Sequence, residues 1–280
     1  MVGAFVSGNL AVSSAYAEIR TSGFRLWVLF PVLLLMFFRL RVFDEIKDAR
    51  SDVSQHPDRP LARGLISIGE AKRVAGAVAM TELGLSLFFG SHVVIAWGGV
   101  FLFSLLMYRE FFIGTWLRPR LELYAVTHTL VSCFMGLLIA TAATGRSLGD
   151  LPAGVWGFCL ANWTVFNVFE FARKTYAPEE ELHNVESYSK RWTAPGAVFL
   201  CLVNVWIATV LSFFVFKRFF GSTFSFMGPL GFILLTLFAA ALYVVKPGIF
   251  QARFYRFAMQ IFIVGYYVLL SLAEVVGGRT

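Results

Sequence analysis

The chain has 280 residues, 58% of them hydrophobic and only 15% charged, with 31 Phe and a mean hydropathy of +0.71. A soluble domain of this length carries more charge and fewer rings, so the composition excludes a soluble enzyme and implies a polytopic membrane protein, one domain over residues 1–280. The net charge of +7 sits in short connections between apolar runs, which points to orientation in a bilayer and not to nucleic acid.

Apolar runs of roughly 17 to 25 residues can cross a hydrocarbon core of about 30 Å. On that measure the sequence predicts an all-α bundle of nine transmembrane helices, over 2–17, 23–42, 71–89, 92–107, 124–143, 152–171, 194–216, 226–245 and 256–276. The first run is the weakest, since it contains Gly8, Asn9, Ser13 and Ser14. It has no basic leader, so it reads as a span and not as a cleavable signal. Alternating ten-residue segments are absent, which excludes a barrel.

Basic residues are shared unequally between the two sets of loops. Of the 24 Lys and Arg, 18 fall in or beside the loops that follow the second, fourth, sixth and eighth runs. Among them are Arg39, Arg59, Arg63, Arg109, Arg173, Lys174, Arg253 and Arg256; the other side has only Arg20, Arg25, Arg146, Lys217, Arg218 and Arg279. The asymmetry predicts a cytoplasmic N-terminus, an external C-terminus and cytoplasmic polar loops in a plasma-membrane protein. Cys133, Cys159 and Cys201 are far apart inside apolar runs and read as packed thiols.

The most charged stretch is LRVFDEIKDARSDVSQHPDRPLARG, residues 40–64. Asp44, Asp48 and Asp52 recur every four residues, so on a helix they share one face, and Glu45 can join them. Carboxylates so placed repel one another. A divalent cation would convert that repulsion to attraction, because hard ions such as Mg²⁺ join a few carboxylates to substrate phosphates. Arg59, Arg63 and His56 would suit an anion beyond the metal. The competing reading is a solvated, salt-bridged connection between two spans.

Further along, Asn167, Glu170, Arg173 and Lys174 recur at three- and four-residue intervals and share a helix face. Arg109 lies in an aromatic stretch, Tyr108 to Phe112, that reads as interfacial, and is the member placed to reach a phosphate. Arg253 and Arg256, after Lys246, read as a positive-inside anchor or as an anion clamp. Residues 188–191 close the second acidic loop and are placed to order it. Within the apolar runs Glu82, Asn162, Asn204 and Glu274 stand out, because burying polar groups there is costly. For Glu82 the alternatives are an interhelical hydrogen bond, a protonated acid or a functional role. His92 reads as structural.

The 44–64 stretch resembles the first signature of the UbiA superfamily of intramembrane prenyltransferases, Asn-Asp-x-x-Asp-x-x-x-Asp followed by Pro-x-Arg-Pro-Leu/Ile-x-x-Gly. Here Asp44 and Glu45 replace the first pair, Asp48 and Asp52 follow in register, and the tail is Pro57-Asp58-Arg59-Pro60-Leu61-Ala62-Arg63-Gly64. The resemblance implies a bundle around a central cavity open to the cytoplasm, with transfer of a prenyl group from a polyprenyl diphosphate to a lipophilic acceptor. It implies Mg²⁺ on Asp44, Asp48, Asp52 and Glu170, with Asp44, Asp48, Glu170, Arg173 and Lys174 in the catalytic set. It implies diphosphate contacts from Arg59, Arg63, Arg109, Lys174 and Arg253.

The family's second aspartate-rich motif is altered here. Lys174 and Ala177 stand where its first two acids are expected, and acid returns only at Glu179, Glu180 and Glu181. Either Glu170 keeps a metal while Arg173 and Lys174 take the diphosphate directly, or Glu170–Lys174 is an ordinary surface pair. The altered motif keeps open a non-catalytic UbiA-like protein that binds or transports an isoprenoid or lipid. A CDP-alcohol phosphotransferase is set aside, because the later acids of its pattern are missing.

Overall fold

The computed structural model describes residues 1–18, 23–182, 185–224 and 227–277. Among them there is no strand, and the helices are α1 (Val2–Ala17), α2 (Gly23–Gln55), α3 (Ile68–Leu87), α4 (Ser91–Tyr108), α5 (Gly114–Leu117), α6 (Leu121–Thr129), α7 (Val131–Thr144), α8 (Ala153–Arg173), α9 (Tyr188–Phe224), α10 (Met227–Val245) and α11 (Ile249–Gly277). Each predicted run falls on a helix or, for the fifth, on the pair α6–α7 divided at Leu130. The stretches Ser91–Tyr108, Leu121–Thr144, Tyr188–Phe219 and Ile249–Glu274 are long and apolar enough to cross a membrane. Arg20, Phe226 and Arg279 lie outside the described residues.

Two boundaries move in ways that matter for the site. α2 continues to Gln55, past the predicted end at residue 42, so the acidic stripe is carried on the span's own helix. α11 begins at Ile249 and not at 256, which places Arg253 and Arg256 on its first turns. The tail after α2 closes with Gly64 at φ +70°, a left-handed position that favours glycine, and its N–H bonds the Leu61 carbonyl at 3.1 Å. α3 then starts on a capping box. Ser67 accepts from the Glu70 N–H at 3.2 Å, and Glu70 accepts from the Ser67 N–H at 2.8 Å.

The polar residues that weaken α1 as a span serve contacts inside the bundle. Asn162 on α8 donates to Asn9 at 2.7 Å and accepts from the Tyr267 hydroxyl on α11 at 2.9 Å. All three are buried, and a network so satisfied avoids the penalty of unpaired polar groups in hydrocarbon.

Arg39 corrects the charge tally of the sequence. It is fully buried, its guanidinium paired through Nε and a terminal nitrogen with both Glu82 oxygens at 2.9 Å. Ser104 takes a further Arg39 N–H, and the Trp97 indole donates to Glu82 at 3.1 Å. Of the alternatives for Glu82, the interhelical bond is the one that forms, as an ion pair.

Candidate functional site

A cavity of about 640 Å³ lies where the second half of α2, the middle and end of α6 and the last turns of α8 converge. Asp44 and Asp48, one turn apart on α2, line it from one side, and Glu170, Arg173 and Lys174 line it from α8. Tyr124 and His128 of α6 stand between them, and His56 and Arg59 of the tail border the same space. Met107, Val131, Phe37, Phe166 and Phe169 supply apolar wall. Phe37 precedes Asp44 by about two turns, roughly 10 Å of helix, so the aromatic part lies toward the N-terminal, apolar half of α2. Its ring stacks on Phe166 at 6.0 Å between centroids.

At the charged end, five cations face three carboxylates: Arg41, Lys47, Arg59, Arg173 and Lys174 against Asp44, Asp48 and Glu170. Lys47 bridges two elements, donating to Asp44 at 3.0 Å and to the Tyr124 hydroxyl at 2.8 Å. Burial opposes its charge, but Asp44 and Tyr124 outweigh burial and raise its pKa above the ordinary lysine value. Burial raises the Asp48 carboxyl, and the charges of Asp44 and Asp52 add to the rise while Lys47 and Arg59 oppose it. A carboxylate so crowded gains from any cation that replaces its lost water. Arg173 and Lys174 hold the two Glu170 oxygens at 2.5 and 3.0 Å.

His128 stacks on Tyr124, with centroids 3.9 Å apart. Its Nδ1 lies 2.7 Å from the Tyr124 carbonyl, while Nε2 is buried without a hydrogen-bond partner among the described residues. Glu45, half a step off the stripe, is likewise left with one buried unpartnered oxygen; its other oxygen meets Arg41 and, at 3.8 Å, Arg59.

The remaining candidates stand elsewhere. Asp52 is buried beneath Arg59, bonded to it at 2.7 Å, and is not part of the lining. Arg63 and Arg109 are exposed and do not line the cavity. Arg253 is exposed and bonds Glu180 at 3.3 Å. Glu180 also takes both terminal nitrogens of Arg256, at 2.8 and 2.9 Å, and Glu181 accepts from Ser187 and Ser189 at 2.6 Å. Glu180 and Glu181 are therefore engaged within the second loop and with the start of α11. Lys47, Arg41 and Tyr124 were not singled out from the sequence. The available signal was Lys47 three residues after Asp44, and Tyr124 one turn before His128.

Residues 4–264 match the model of the UbiA prenyltransferase family. The chain belongs to that family. No curated protein matches it in sequence. Two solved structures share its fold. One is the apo structure of a UbiA homolog from Aeropyrum pernix K1, 15% identical, covering 96% of this chain and 98% of that one, with a TM-score of 0.66. The other comes from work on the biosynthesis of digeranylgeranylglyceryl phosphate synthase in membranes, 19% identical, covering 98% of this chain and 92% of that one, with a TM-score of 0.59. UbiA family members are membrane prenyltransferases, so this chain is an integral membrane protein with a prenyltransferase fold.

The residues present fit a Mg²⁺-bound diphosphate better than a free ion. Among the described residues no three His, Cys, Asp or Glu side chains form a ready metal cluster. Asp44 and Asp48 supply two hard oxygen donors, and Mg²⁺ typically takes one or two carboxylates and completes its shell with water and substrate phosphate.

Proposed function

We propose that this UbiA family member is a Mg²⁺-dependent prenyltransferase that moves a prenyl group from a polyprenyl diphosphate to a lipophilic acceptor within the membrane. The observation that carries the reading is that Asp44 and Asp48 of α2 and the Glu170–Arg173–Lys174 group of α8 line one cavity with an aromatic wall. The same reading sets nine apolar helices across the plasma membrane with the charged mouth toward the cytoplasm, as the excess of basic residues on those loops supports.

Asp44 and Asp48 would hold the ion, which when bound offsets the phosphate charge and polarises the leaving oxygen. Arg173, Lys174 and Arg59 bind the diphosphate oxygens through charge-assisted bonds. Glu170 keeps Arg173 and Lys174 aimed at the cavity, and Asp52 does the same for Arg59. Departure of the diphosphate breaks the allylic carbon–oxygen bond, and its electron pair leaves with the oxygen. Phe37, Phe166 and Phe169 exclude water from the electron-poor allylic carbon and present ring faces to it. The acceptor attacks that carbon from within the apolar part of the cavity, and the proton lost from its attacking atom passes to the departed diphosphate.

The test uses full-length protein in lipid nanodiscs with Mg²⁺, labelled farnesyl or geranylgeranyl diphosphate and a lipid extract as the acceptor source. Acceptor-dependent diphosphate release is expected, and Asp48→Asn is expected to lower it by at least about 100-fold, the scale of losing one electrostatic group at a transition state. Full activity in Asp48→Asn removes metal chelation from the account. No release with any prenyl donor favours a non-catalytic isoprenoid-binding protein.

A further inference from the structure

The fully buried Arg39–Glu82 pair lies outside the cavity, and nothing in the chemistry above uses it. It joins three helices: Arg39 is on α2, Glu82 on α3, and Ser104 and Trp97 on α4. The contact is two-pronged, at 2.9 Å on both prongs. The guanidinium is also held against the Phe101 and Phe43 rings, at 5.2 and 5.6 Å from their centroids. A guanidinium so forked has one rotational setting, unlike an apolar contact, which tolerates sliding.

The position of Arg39 on α2 matters more than its strength. It precedes Asp48 by nine residues, about 180° around an ideal helix, and Asp44 by five, about 140°. The pair therefore grips the back of α2 while the two acids occupy the front. Buried ion pairs are weak evidence for stability, since apolar residues of similar size often replace them without loss. Their best-attested use is to fix register. On the cavity side, the comparable polar tie between α2 and its neighbours is the Lys47–Tyr124 bond, which a moving α2 would carry with it or break.

We propose that Arg39 and Glu82 are positioning residues that set the rotation of α2, so that Asp44 and Asp48 face the cavity. The inference rests on the functional reading only for why that orientation matters; the orientation itself can be measured without any substrate. Replacing the pair together, Arg39→Met with Glu82→Leu, removes both charges and leaves no unpaired ion. The orientation is read by Asp48→Cys, labelled with a sulfonated, membrane-impermeant thiol reagent in full-length protein in nanodiscs. The background is low, because Cys133, Cys159 and Cys201 are buried.

With the pair intact, position 48 is expected to label rapidly from water. In the Met/Leu background labelling is expected to slow at least about ten-fold while the melting temperature stays near that of the parent. Without the added cysteine, the Mg²⁺ concentration that half-saturates inorganic pyrophosphate binding is expected to rise by a similar factor. If the double variant does not fold, Arg39→Lys is used. It keeps a paired charge but loses the fork, and a several-fold slower label is expected. Parent-like labelling in whichever variant folds overturns the proposal. Absence of Mg²⁺–pyrophosphate binding in the unaltered protein counts against the functional reading instead, and leaves the labelling result to judge this one.

Discussion

Lys174 stands where the family's second motif is expected to place an acid, and the structure shows what the exchange does. The α8 end of the cavity carries two cations on one carboxylate, so it presents net positive charge of its own accord. On the proposed function, these two cations take the place of a second metal ion at the diphosphate. One Mg²⁺ per chain is expected when the protein is titrated in the presence of a non-hydrolysable prenyl diphosphate analogue, and two would overturn this account of the site. Arg173→Met with Lys174→Met is expected to raise KM for the donor at least about 100-fold, given roughly 1.5–3 kcal/mol for each hydrogen bond to a charged group. Steady-state kinetics at saturating Mg²⁺ checks it. Glu170→Gln leaves both cations in place but unaimed, and a smaller rise is expected. The acids at 44, 48 and 170 were legible in the sequence because helical spacing alone puts them on shared faces. Lys47 and Tyr124 were not, because their bond joins residues from two helices that only the packed bundle brings together.

The described part of the connection between α8 and α9 is held by a set of bonds, two of them to the cavity-lining residues Lys174 and Tyr176. The Tyr188 N–H reaches the Lys174 carbonyl at 3.0 Å, the Tyr243 hydroxyl donates to the Tyr176 carbonyl at 2.7 Å, and Glu180 accepts from Arg256 and from the Ala177 N–H. The Arg256 hydrogen bond pulls the Glu180 carboxyl down from 4.5 to about 2. A folded-state pKa below the unfolded value means that the carboxylate is favoured by folding. Its contribution is complete above about 4.5 and is lost as pH falls toward about 2. Amide exchange at Tyr176 and Ala177, corrected for the intrinsic rate, is therefore expected to rise across that interval. In Glu180→Gln it is expected to be faster at neutral pH and to lack that step. Because Tyr176 lines the cavity, the same variant is expected to weaken donor binding. From the sequence, Glu179 to Glu181 mark only where acid returns after the altered second motif. Their pairing with Arg253 and Arg256 depends on where α11 begins, and hydropathy placed its start seven residues late because Phe250, Phe254 and Phe257 alternate with charged and polar neighbours.

Seen whole, the bundle closes around the helix whose Gly8, Asn9, Ser13 and Ser14 make it read as the weakest span. α1 packs most of its length inside, against α2, α7, α8 and α11, and its small residues permit the approach. A Cβ on Gly8 would lie 2.9 Å from the Tyr267 ring and 3.1 Å from the Tyr267 carbonyl oxygen. Gly8→Val must push α1 off α11, and a loss of about 1–3 kcal/mol is expected for such overpacking, read as a lowered melting temperature in nanodiscs. An unchanged value would show that the helices are not in contact there. The sequence by itself determined the class of the molecule, the helical runs, the acid spacing and the family, because hydropathy and helical period are local properties of consecutive residues. The tertiary structure alone decided which charges meet. Arg39 and Glu82 are 43 positions apart and Lys47 and Tyr124 are 77 apart; no local pattern separates a cation buried against its partner from one at the membrane edge, since both read as a basic residue near the end of an apolar run.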